Sequence, residues 1–186
     1  APLALTWAWM GLMTVEFFTP KWLKRRPALY LASHMLVLPL IAAFAMAAAW
    51  GQSSLAANAP IIAFLALAFS NGVVIELARK SWARAEERRG VDTYSKLWGP
   101  ERAAALIAGA IVASVALTLV VLGGARVAIW FAAAALVLAV SALIGPFAYA
   151  LRPTPARAKL CETLAGVWVL GSYALIGLAA AWEIGA

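Results

Sequence analysis

The chain has 186 residues, of which 65% are hydrophobic and 12% are charged, whereas soluble proteins carry about 25% charged residues. This composition excludes an ordinary soluble domain and predicts an integral membrane protein that lies in a lipid bilayer. The single cysteine excludes an internal disulfide framework. The net charge of +7 comes without a long run of like charges, so it gives no indication of a nucleic-acid partner.

Apolar runs long enough to cross a membrane follow each other along the chain. A helix of about 20 residues spans the hydrocarbon core, and a helix satisfies its own backbone polar groups in lipid. We therefore predict an all-α polytopic bundle, one transmembrane domain over residues 1–186 with six spans. These spans cover residues 2–18, 28–50, 60–78, 103–122, 127–151 and 164–182.

Lysine and arginine occupy alternate loops. All 15 basic residues except Arg126 follow the first, third or fifth predicted span. By the positive-inside bias these loops face the cytoplasm and both chain ends face outside, and we expect a bacterial cytoplasmic membrane. An outside end with neither a leader nor an initiating methionine predicts that Ala1 is not where translation began.

The third predicted span ends in a polar, charged segment. It carries Asn71 and Glu76 and continues as "ARKSWARAEERRGVDTYS". Arg79 and Lys80 lie three and four residues after Glu76, the spacing at which helical side chains meet. Two interpretations stay open: a helix-end ion pair beside a solvated loop, or a cytoplasmic pocket where carboxylates hold a divalent metal and basic side chains hold an anion.

Two segments resemble a known family. The stretch "GVDTYSKLWGPERAA", residues 90–104, resembles the segment after the second aspartate-rich motif of UbiA-type intramembrane prenyltransferases. The stretch "MTVEFFTPKWLKRRPALYLASHMLVLPL", residues 13–40, resembles the fourth and fifth helices of a less studied branch of that superfamily. Members have nine helices, so the resemblance implies a UbiA-like fold whose fourth to ninth helices, the C-terminal two-thirds, are present here.

The resemblance also implies a reaction and a set of roles. The reaction is Mg²⁺-dependent transfer of a prenyl group from a polyprenyl pyrophosphate, in which cations stabilise the departing pyrophosphate. The implied metal ligands are Glu86, Glu87 and Asp92; the phosphate-binding residues are Arg79, Lys80 and Arg84; and the substrate pocket holds Asn71, Glu76 and Tyr94.

The sequence departs from the family pattern in two places. Paired acids are expected four and eight residues before Gly90, but these positions hold Glu86 and Trp82. The first acidic motif belongs to family helices that lie upstream of this sequence. Whether the chain is an enzyme therefore stays open, and the alternative is a non-catalytic UbiA-like subunit of a larger membrane complex, binding lipid, quinone or pigment.

His34 lies early in the second predicted span. One imidazole is enough to ligate a haem or a chlorophyll, and a histidine hydrogen-bonded between helices is the other interpretation.

Cation transport is a third functional class. It is disfavoured because no ionisable residue lies near the middle of a predicted span.

Overall fold

The computed structural model describes residues 2–50, 58–123 and 128–185. This part of the chain is helical and contains no strand, so the all-α prediction is confirmed for it. The α-helices, in chain order, are α1 (Pro2–Thr14), α2 (Pro20–Lys24), α3 (Pro27–Met35), α4 (Val37–Trp50), α5 (Ala59–Arg79), α6 (Tyr94–Trp98), α7 (Pro100–Leu122), α8 (Ala128–Leu151) and α9 (Pro155–Gly185).

Five helical stretches are long and apolar enough to cross a membrane. They match the second to sixth predicted spans, and they are Pro27–Ala49, Ala59–Arg79, Pro100–Leu122, Ile129–Leu151 and Pro155–Gly185. The protein is thus a helical membrane protein.

The predicted first span, residues 2–18, has a different structure. Helix α1 ends at Thr14 after 13 residues, a length of about 20 Å. Glu16, Phe17 and Phe18 then have φ values of 47°, 53° and 58°. This left-handed conformation cannot continue a right-handed helix, so the described residues hold five candidate spans where we predicted six.

The second predicted span consists of two helices, α3 and α4, which meet at Leu36. Pro39 lies three residues further on. A proline inside a helix lacks an N–H group, and its ring clashes with the carbonyl four residues earlier, here the carbonyl of Met35. The proline explains why the helix is interrupted at this point.

Helix α9 begins at Pro155, well before the predicted span start at residue 164. The Thr154 hydroxyl accepts a hydrogen bond from the backbone N–H of Arg157 at 3.4 Å, as an N-cap residue does. Lys159 and Glu162 pair at 2.9 Å within the first turns. Apolarity alone did not reveal these polar turns, which extend the helix beyond the hydrocarbon.

Helices α5, α7, α8 and α9 form the centre of the bundle. Helix α5 packs on α7, α7 on α8, and α8 on α9, and α5 also contacts α9. Helix α4 packs on α5, and α1 packs on α4. The α8–α9 contact is close, because a Cβ atom at Gly145 would lie 2.8 Å from the Cα of Cys161. The largest buried side chains here include Leu77, Ile107, Ile111, Tyr149 and Trp168.

The segments rich in lysine and arginine meet at one end of the bundle, here called the basic end. The Tyr94 backbone N–H donates to the Lys80 carbonyl at 2.9 Å. The Lys80 ammonium lies 5.8 Å from the centre of the Tyr30 ring at the start of α3. The Tyr149 hydroxyl donates to the Trp82 carbonyl at 2.7 Å. These contacts connect the loop after α5 to α3 and to the end of α8.

Candidate functional site

A cavity of about 580 Å³ lies beside the basic end, between α1, α3, α4, α5 and α9. We call it the membrane cavity. Its wall is mostly apolar, with Met13, Leu31, Met35, Val37, Leu38, Ile75 and Val169. Its polar lining consists of Tyr30, His34, Asn71, Glu76, Arg79, Lys80 and Tyr173.

A compact ion-pair cluster lies at the basic end of the membrane cavity. The Glu76 carboxylate lies 2.5 Å from Nη2 of Arg79 and 2.8 Å from Nζ of Lys80. The spacing along the helix predicted both contacts. Two cations share one carboxylate, so the cluster keeps one net positive charge, and each cation has further N–H donors available.

Asn71 presents an unsatisfied acceptor. Its side chain is only 1% exposed, and Nδ2 donates to the Ser172 hydroxyl at 3.2 Å. Within the described ranges its Oδ1 atom has no hydrogen-bond partner. A buried carbonyl oxygen without a donor is unfavourable by about 1–3 kcal/mol.

His34 is held by its own helix. Its Nδ1 lies 2.9 Å from the Tyr30 carbonyl oxygen, and its ring stacks on Tyr30 with centroids 4.0 Å apart. A carbonyl only accepts, so Nδ1 carries a proton in that bond. No described residue pairs with Nε2. The expected hydrogen bond between helices is therefore replaced by one within α3.

A second, polar groove of about 480 Å³ lies at the basic end, between the loop after α5 and the start of α9. We call it the polar groove. Arg79 lines both this groove and the membrane cavity, so one guanidinium connects the two spaces. The other charged residues of the polar groove are Glu86, Glu87, Arg88, Lys159 and Glu162.

Glu87 ties the loop after α5 together. Its Oε1 accepts hydrogen bonds from the hydroxyls of Thr93 at 2.5 Å and Ser95 at 2.8 Å. Its Oε2 is buried and finds no partner in the described part of the chain. Thr93 also caps α6, and Gly90 has a φ of 80°, which glycine adopts readily. The segment from Gly90 to Thr93 is thus an ordered turn.

Some of the predicted site residues line the membrane cavity, others line the polar groove, and a third group lines neither. Asn71, Glu76, Arg79 and Lys80 line the membrane cavity, while Glu86 and Glu87 line the polar groove. Three predicted residues line neither space: Arg84 and Asp92, which are exposed in the described loop, and Tyr94, which is buried.

Tyr94 packs inside the loop. Its ring stacks on Trp98 with centroids 5.0 Å apart. Burial raises the pKa of the Tyr94 hydroxyl, and the nearby Glu76 carboxylate adds to the rise. The phenol therefore stays protonated at neutral pH. Its position is consistent with a packing role behind the cavity wall.

The described carboxylates do not form a metal site by themselves. No group of three or more His, Cys, Asp or Glu side chains suited to a metal occurs among the residues of the described ranges. Any ion bound in the polar groove would therefore need ligands from a second source, such as phosphate oxygens.

Sequence reasoning missed several residues that line these spaces. Tyr30 and Tyr173 line the membrane cavity, and Lys159 and Glu162 line the polar groove. Glu162 offered a signal, since it is the only acidic residue between positions 152 and 163. Tyr30 offered none, because aromatic residues near span ends are common in membrane proteins.

Comparison of the chain with protein-family models, with curated proteins and with solved structures returns no match.

Proposed function

We propose that this chain is a prenyl-transferring membrane protein of the UbiA type. In this proposal a polyprenyl pyrophosphate lies with its isoprenoid chain in the membrane cavity and its pyrophosphate beside Arg79 and Lys80. One observation carries the proposal most: a single cavity combines an apolar wall with two cationic side chains at its basic end. This distribution suits a ligand with a long apolar chain and an anionic head.

The ion-pair cluster supports binding of the anionic head. Glu76 holds both cations in place, so they need little reordering when a ligand arrives. The remaining positive charge attracts a pyrophosphate, and charge-assisted hydrogen bonds are stronger than neutral ones. Since Arg79 also lines the polar groove, the head can extend from the cavity toward Glu86 and Glu87.

The donor set of the polar groove fits a magnesium ion that is shared with a ligand. Mg²⁺ is usually held by one or two carboxylates together with substrate phosphates and water. Glu86 and Glu87 supply two carboxylates there, and Glu87 Oε2 is buried without a partner in the described residues. These two residues would hold the ion, which when bound would neutralise charge on the departing pyrophosphate.

The proposal includes an orientation and an architecture. The basic end faces the cytoplasm of a bacterial cell, both chain ends face outside, and α1 belongs to a sixth crossing. Helix α1 carries no charged residue, as a membrane segment requires. The architecture is that of the fourth to ninth helices of the UbiA fold.

A second candidate is a non-catalytic subunit that binds a lipid, quinone or pigment in the same cavity and associates with other membrane chains. The finding in its favour is that the described residues include no group of three metal-ligating side chains. The two candidates differ in one respect: the enzyme releases pyrophosphate, whereas the subunit binds a ligand without turnover.

The test uses the protein in lipid nanodiscs. Binding of geranylgeranyl thiolopyrophosphate, which resists cleavage, is measured first, and Mg²⁺-dependent pyrophosphate release from geranylgeranyl pyrophosphate second. We expect Lys80→Met to weaken binding about tenfold, because it removes a charge-assisted contact. Lys96→Met is the matched control, since the Lys96 ammonium donates to the Val91 carbonyl at 3.3 Å and lies outside both spaces.

The outcomes separate the candidates. Mg²⁺-dependent release supports transfer, and saturable binding without release supports the non-catalytic subunit. Equal weakening in Lys80→Met and Lys96→Met would show that only overall charge matters. Unchanged binding in Lys80→Met would remove the pyrophosphate from the membrane cavity.

A further inference from the structure

The membrane cavity contains two hydrogen-bond acceptors that lack donors. One is Oδ1 of Asn71, which is buried and without a partner in the described residues. The other is Nε2 of His34, which has no partner among the described residues, while Nδ1 lies 2.9 Å from the Tyr30 carbonyl oxygen. An acceptor-lined cavity selects a ligand that carries a donor, such as a hydroxyl group.

Both acceptors lie deeper in the bundle than the cations. Lys80 contacts the Tyr30 ring, and His34 is one helical turn further along α3, about 6 Å away. Asn71 precedes Arg79 by two turns of α5, about 12 Å. The cavity therefore offers cations near the basic end and neutral acceptors further in.

We propose that His34 is the proton acceptor of the membrane cavity. Its Nε2 atom receives a hydrogen bond from the hydroxyl of the second substrate, the prenyl acceptor, and takes that proton during transfer. This inference rests on the proposed prenyl transfer. It adds a catalytic residue that contacts the hydroxyl of the acceptor.

The step balances without an oxidant or a reductant. The bond between C1 of the prenyl group and the pyrophosphate oxygen breaks, and its electron pair leaves on the pyrophosphate. The O–H bond of the acceptor breaks, and its electron pair supplies the new bond to C1, directly or through a conjugated ring. The proton passes to Nε2 of His34.

The other charged or titratable residues lining the cavity do not suit this role. The Glu76 carboxylate is occupied by Arg79 and Lys80, which are themselves donors. Tyr30 and Tyr173 carry hydroxyl protons in their neutral form. Among the described lining residues, His34 carries the imidazole, the side chain that exchanges a proton most readily near neutral pH, and its Nδ1 is engaged within its own helix.

The binding part is tested with a matched pair of probes, 2-naphthol and 2-methoxynaphthalene, which differ in the donor. The protein is held in nanodiscs, and ¹⁵N NMR follows the chain's single histidine. We expect 2-naphthol to bind about tenfold more tightly, as a hydrogen bond in a water-poor site requires, and to shift the Nε2 resonance. Equal affinities with an unmoved resonance would overturn the inference.

Two variants test whether His34 causes the preference for 2-naphthol over 2-methoxynaphthalene. His34→Leu is expected to abolish the preference for 2-naphthol. Ser141→Ala is expected to keep it, because the Ser141 hydroxyl donates to the Val137 carbonyl within α8, away from the cavity. A preference that survives in His34→Leu would assign the hydroxyl to another acceptor and refute the role of His34.

Proton transfer is tested with His34→Gln, whose amide oxygen accepts a hydrogen bond but takes no proton. We expect this variant to bind 2-naphthol within about threefold of the unmodified protein and to lose about 100-fold in the rate of prenyl transfer to it. An unchanged rate would refute the base role. If the unmodified protein transfers nothing, the proposed function and the base role fail together, whereas the probe pair still decides the hydroxyl contact.

Discussion

Replacing Gly145 by alanine tests the contact between α8 and α9. The added Cβ would lie 2.8 Å from Cα and 3.5 Å from the backbone nitrogen of Cys161. Backbone atoms cannot rotate away as a side chain can, so the helices must separate. Such overpacking destabilises by about 1–3 kcal/mol, and the higher helix propensity of alanine offsets about 1 kcal/mol of it.

Gly166→Ala is the matched control on α9. No described atom outside the local helix lies within 4 Å of a Cβ at Gly166, so only the propensity gain of about 1 kcal/mol remains. We expect a net loss of about 1 kcal/mol for Gly145→Ala. The two variants should therefore differ by about 2 kcal/mol, roughly 30-fold in an equilibrium constant.

The single cysteine provides the assay. Cys161 is 1% exposed, so a thiol reagent reacts with it only when the α8–α9 contact opens. We expect labelling to be about fivefold faster in Gly145→Ala and about fivefold slower in Gly166→Ala. Labelling in Gly145→Ala at or below the unmodified rate would show that the helices are not in close contact at this position.

Two further predictions concern the loop after α5. Tyr149→Phe removes the hydroxyl that donates to the Trp82 carbonyl at 2.7 Å, so trypsin should cleave this loop several-fold faster; an unchanged rate would show that the bond does not restrain the loop. Glu87→Gln weakens the bonds from Thr93 and Ser95, and thermal unfolding should report about 1–3 kcal/mol of lost stability. A gain in stability would instead mean that burial of the Glu87 charge destabilises the fold by more than these two hydrogen bonds stabilise it.

Local patterns predicted the second to sixth helical stretches, but not the end of α1 at Thr14. The apolarity of residues 60–78 predicted a span, and α5 covers Ala59–Arg79. The Glu76 cluster was predictable for the same reason, because its partners lie within one turn of the same helix. Features that depend on three or four neighbouring residues are thus accessible from the sequence.

Features set by distant contacts were not accessible. The left-handed turn at Glu16–Phe18 places the centroid of the Phe17 ring 5.2 Å from that of the Trp9 ring and 6.1 Å from that of the His34 ring. Neither contact follows from local propensity, which favoured a continuous helix. The bond from Asn71 to Ser172 likewise joins residues 101 positions apart, so the unsatisfied oxygen of Asn71 is visible only in the folded chain.

The placement of α3 and α4 bears on how a ligand reaches the membrane cavity. The stretch Pro27–Ala49 is the least buried of the five candidate spans, 11% against 50% for Ala59–Arg79, and it forms one wall of the cavity. Under the proposed function, we expect the isoprenoid to enter sideways past this wall, so that its tail never contacts water. Occupancy would then follow the mole fraction of ligand among the lipids, and diluting a vesicle suspension in buffer would leave it unchanged.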